Sequence, residues 1–66
     1  MEHLYITDIC ERLYKGLESE YSAIFSYKKH IEIIDNNHIR AIIRKIILDE
    51  EVHIKHFKSA INKYCK

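Results

Sequence analysis

Glu50 and His53 stand three residues apart, and Glu20 lies thirty residues before Glu50, in a chain of 66 residues. Two carboxylates and an imidazole are ligand types that hold iron, manganese or zinc. On a helix, side chains three apart have Cβ atoms about 5 to 6 Å from each other, so Glu50 and His53 can share one metal ion. The pair alone is weak, because a chain with seven Glu and five His yields a Glu-x-x-His match about half a time by chance. Its weight comes from the elements that carry it.

Apolar residues in the first half recur at Leu13, Leu17, Ile24, Tyr27, Ile31 and Ile34, with Glu20 at the one polar position of the series. The spacing alternates four and three, a heptad seam on a helix. The second half repeats it with Ile39, Ile43, Ile46, Phe57, Ala60 and Tyr64, and Glu50 and His53 fill the two positions between. The segment Asp35-Asn36-Asn37-His38 breaks the pattern; Asn accepts a left-handed helix-ending conformation, and the second Asn can cap the next helix. Asp8 followed by Glu11 resembles a capping box that starts the first helix near residue 8, leaving residues 1–7 as a lead-in. The expected fold is all-α: one domain over 1–66, with a helix at about 8–35, a turn at 35–38 and a helix at about 38–64.

Composition agrees with a helical chain, with 47% hydrophobic residues, one Gly and no Pro. Gly16, inside the first helix, marks a kink or a close helix approach. A net charge of +1 with interspersed signs leaves no basic footprint for nucleic acid, and no run is long and apolar enough to span a membrane. A cytoplasmic location is expected. Cys10 and Cys65 form no Cys-x-x-Cys motif; a hairpin turning near residue 36 brings them to the same end, where a disulfide is sterically allowed, but free thiols are the expectation for a cytosolic chain.

A chain this short buries little core alone and needs a disulfide, a metal or an oligomeric partner. A second apolar line, Ile47, Ile54 and Ile61, runs beside the seam of the second helix, and Cys10, Tyr14 and Tyr21 run beside that of the first. Two helices cannot cover faces this wide, whereas two hairpins dimerised as a four-helix bundle can. In an antiparallel hairpin Glu20 reaches the height of residues 50–53, so the three polar side chains converge in the core. Two chains then gather four carboxylates and two imidazoles, which is costly in a dry core without cations. A Glu-x-x-His on two helices and a Glu on each of the other two is the ligand set of ferritin-like di-iron and di-manganese bundles. Oxygen-rich ligation suits iron or manganese better than structural zinc. The expected roles are Glu50 as bridging carboxylate, Glu20 as terminal carboxylate and His53 as nitrogen ligand, in a site oxidising Fe(II) to Fe(III).

Glu20, Tyr27 seven residues later, and Asp49-Glu50-Glu51-Val52-His53 together resemble the encapsulated ferritins, over about residues 10–64. The resemblance implies a two-helix chain whose homodimer encloses a di-iron ferroxidase centre, a ring of such dimers, and an encapsulin-type shell in whose nanocompartment oxidised iron is stored. Members of that family usually continue into a carboxy-terminal extension that docks in the shell, whereas this chain ends at Lys66. They also tend to carry extra carboxylates near the first-helix Glu, where this chain has Ser19, Ser22 and Glu18.

Other residues have plainer readings. Tyr27 is a core seam residue or a group bonded to a metal ligand. Asp49 faces solvent or orients the free nitrogen of His53. His56, one position off the seam, is expected at the surface, as are His3, His30 and His38. A different class of function stays open: a non-catalytic helical oligomerisation module whose polar seam residues fix register, or a structural dimer bridged by zinc or manganese.

Overall fold

The structure, a computed structural model, describes residues 6–65, with side chains from residue 8 onward. It contains two helices, α1 (Ile6–Ile33) and α2 (Asn37–Tyr64), joined by a turn at 34–36. There is no strand among the described residues. The molecule is a hairpin 47 Å long and about 20 Å across. Neither helix is long and apolar enough to cross a membrane.

The helix ends differ from the sequence expectation in register. α1 is already helical at Ile6, so Asp8 is a first-turn carboxylate favoured by the helix dipole and not a cap. Residues 1–5 of the expected lead-in, and His3 with them, lie outside the described residues. Asn36, not Asn37, caps α2: it sits in extended backbone, at φ −148° and ψ 110°, and its side-chain oxygen accepts the Ile39 N–H at 3.0 Å. From there it reaches the third amide of the helix, the usual target of a capping side chain, while Asn37 is already helical. No described non-glycine residue has positive φ, so the turn makes no use of the left-handed conformation that asparagine tolerates.

Packing chooses between the two apolar lines of the second helix. Ile24, Ile43, Ile47 and Ile54 are the buried core, and Leu17, Tyr27, Ile31 and Ile34 pack against it. α1 therefore uses its predicted seam. α2 buries Ile43 of its predicted seam but otherwise turns the second line, Ile47 and Ile54, inward, and the predicted seam residue His53 faces outward. The reason is competition for one interface. A lone partner helix covers a single line, and three isoleucines gain more from burial than a line interrupted by an imidazole.

Cys10 and Cys65 are joined by a disulfide, with Cα atoms 5.7 Å apart. This corrects the expectation of free thiols, which rested on a reduced cytosol; such bonds persist in oxidising surroundings. The bond closes the open end of the hairpin opposite the turn. A closed loop of 55 residues removes a large share of the unfolded chain's freedom. In the loop-entropy account, a loop of that size corresponds to about 4 kcal/mol of stability. Denaturant titrations of the oxidised protein and of a Cys10→Ser/Cys65→Ser variant should differ by a loss of that order. Asn36→Ala should cost a further ~1 kcal/mol by the same measurement.

Candidate metal centre

Glu20 comes from the middle of α1, and Glu50 and His53 from consecutive turns of α2. The hairpin sets them at one height, and one ligand atom of each lies within 4.8 Å of the others. Sequence spacing thus predicts the grouping, and the structure brings all three residues together. The depth differs from the expectation. The cluster sits on the flank of the helix pair, not in its core: the His53 side chain is 52% exposed and that of Glu20 19%.

Two observations describe the electrostatics. His53 Nδ1 and Glu20 Oε1 are 3.5 Å apart, an ion-pair separation too long for a tight hydrogen bond. Glu20 Oε2 is buried with no hydrogen-bond partner. A carboxylate oxygen in that state costs on the order of 1–3 kcal/mol unless something pairs with it. A cation held by Glu20, Glu50 and His53 would give the Glu20 carboxylate a counter-charge, and the donor set of two carboxylates and one imidazole suits iron or manganese.

The cluster opens onto a groove of about 460 Å³ lined by Leu13, Glu20, His53, His56, Phe57 and Ala60. The groove explains Gly16. A Cβ built there would meet the Phe57 ring at 2.6 Å, so the glycine marks a close approach in which the ring of α2 rests on the backbone of α1. Sequence reading allowed a close approach at Gly16 but did not connect it to Phe57, because the contact depends on the hairpin register. The signal was present as the only Gly in the chain, placed within a helix. His56 is exposed as expected, yet it lines the groove beside the ligands.

The supporting residues fall differently. Asp49 Oδ1 is 2.9 Å from Lys45 Nζ, an exposed i,i+4 pair, so its partner is a lysine on its own helix. Tyr27 is half-buried against the isoleucine core, with its ring edge-to-face with His30 at 6.3 Å. His30 and His38 are exposed.

The flank bearing the cluster is apolar. Ile39, Ile46, His53 and Ala60 recur every seven residues on α2; Ile39 is 44% exposed, and Ile42, also near the His53 face, is 48% exposed. Comparison with known proteins finds no matching family model, no similar curated protein and no similar solved structure. The functional reading therefore rests on the residues themselves.

The close approach at Gly16 gives a direct test of this geometry. Gly16→Ala should fail to deliver the stabilisation of about 1 kcal/mol that helix propensity promises, because the Phe57 ring must first move. In a Phe57→Leu background the same substitution should recover that gain. A double-mutant cycle on thermal unfolding measures the coupling, expected at ~1 kcal/mol; additive effects would contradict the packing.

Proposed function

We propose that this chain is half of a di-iron carboxylate protein, in which two hairpins close as a four-helix bundle and oxidise Fe(II) to Fe(III) for iron storage or detoxification. The observation that carries the reading is the buried, unpartnered Glu20 oxygen beside Glu50 and His53, on a flank whose neighbouring side chains are apolar and uncovered. One hairpin supplies three ligands. A second copy related by a two-fold axis supplies three more and covers Ile39, Ile42 and the groove wall in the same step.

Iron is the substrate in this reading, and each Fe(II) that becomes Fe(III) gives one electron to dioxygen or peroxide. Glu50 is assigned the bridging carboxylate, Glu20 the terminal one and His53 the nitrogen ligand. The half-exposed His53 leaves a path for ions before the second chain closes over it. Tyr27 and Asp49 are given no part at the metal in this reading, since Tyr27 packs against the isoleucine core and Asp49 pairs with Lys45. The ring of dimers and the encapsulin-type shell are proposed on the family resemblance alone.

Elemental analysis of protein from iron-supplemented cells should give about one iron per chain, since two metals are shared by two chains. Fe(II) addition should consume oxygen, and chelation should lower the mass in solution. Glu50→Ala and His53→Ala should each abolish oxidation and metal-linked assembly; oxidation persisting in both sinks the assignment. The alternative of a coiled-coil module makes the opposite prediction: Glu20→Leu and His53→Leu stabilise the protein, and chelators leave assembly unchanged. A structural zinc or manganese dimer shows metal-linked assembly without oxygen consumption.

A further inference from the structure

The opposite flank of the hairpin carries a second groove with different chemistry. Its floor is the other side of the isoleucine core: Ile24 and Ile54 under one depression, Ile31 and Ile47 under the next. Lys28 lines both depressions, so they lie next to one another along the helix pair. Lys55 and Lys58 stand at one end and Arg44 at the other, with Glu51 the one carboxylate among the lining residues. Four cations against one carboxylate is a local excess of three on a chain whose whole net charge is +1.

Among the described residues the ion pairs are Lys15–Glu11, Lys45–Asp49 and His53–Glu20, none of which involves Lys28, Arg44, Lys55 or Lys58. Lys58 instead lies over the Tyr21 ring, 5.6 Å from its centroid, which places an exposed aromatic face beside the charge. Leu48 lines the Arg44 end and is also exposed.

From this we infer that the outer groove is a docking site for an acidic amphipathic helix of another protein. The apolar stripe of such a helix meets Leu48, Tyr21 and the isoleucine floor, and its flanking carboxylates meet the four cations. Arg44 and Lys58 are fourteen residues apart on one helix, a span of about 21 Å, which a partner helix of about four turns matches. The lining residues are distinct from those of the metal-site groove. The site therefore stays available when the other flank is covered, and it does not rest on the iron reading.

The test uses the full chain and two synthetic helical peptides of about 15 residues with the same leucine stripe, one flanked by Glu and one by Lys. Fluorescence anisotropy should show saturable binding of the Glu peptide, weakening as salt rises, and none of the Lys peptide. Lys28→Glu/Lys55→Glu/Lys58→Glu should weaken the Glu peptide by on the order of tenfold or more. Helicity by circular dichroism confirms folding, and Arg44→Gln/Lys58→Gln serves as a milder variant expected to shift binding in the same direction. Equal binding of both peptides, or binding indifferent to these substitutions in a folded chain, overturns the proposal. So does a wild-type mass in solution that only the charge-reversal variant lowers, since a second copy then fills the groove. Binding of anionic phospholipid vesicles without preference between the peptides likewise overturns it.

Discussion

A hairpin of two helices has one internal interface, and each helix can turn only one line of side chains into it. In this chain the constraint is severe because α2 carries two lines fit for burial. One is Ile43, Ile47 and Ile54, and the other is Ile39, Ile46, His53 and Ala60. The first takes the internal interface. The second is left on the flank, and with it His53 and the open side of the Glu20 and Glu50 pair. The position of the candidate metal centre is thus a consequence of which line won.

That outcome gives the polar cluster an unusual character. A site in the middle of a core would have to form with the fold; this one is assembled by the fold and left open at one side. Glu20 is mostly covered, and one of its oxygens is without a partner, while His53 stays half in solvent. Such a site stores an unmet electrostatic demand that a cation satisfies directly. In the proposed reading metal binding and self-association are joined there, because the surface around the site is apolar and the ligand set would be half of a known type.

The remaining features hold the frame steady. The disulfide ties the ends of α1 and α2 at the open end, and Asn36 caps the other end at the turn. Between them the Phe57 ring rests against the backbone at Gly16, one turn of α1 from Glu20 and one turn of α2 from His53. These three contacts tie the two helices together at both ends and beside the core of Ile24, Ile43, Ile47 and Ile54. The register of the pair keeps Glu20 level with Glu50 and His53.

The helical class, the break near residue 36 and the grouping of Glu20 with Glu50 and His53 were legible in the sequence, because hydrophobic period and residue spacing are local properties of a helix. The apolar faces read as wider than two helices cover, and Ile39, Ile42 and Leu48 are indeed exposed. Other features depend on contacts between residues far apart in the chain, and those only the tertiary structure decided. Burial of the Ile47 and Ile54 line in preference to His53 is a competition that the two seams enter almost evenly, and the partner helix settles it. The Cys10–Cys65 bond depends on the two ends meeting within 5.7 Å, and the Gly16–Phe57 approach on the register between helices. Choosing Asn36 over Asn37 as the cap took one residue of helical phase, which two adjacent asparagines leave undetermined until the turn closes.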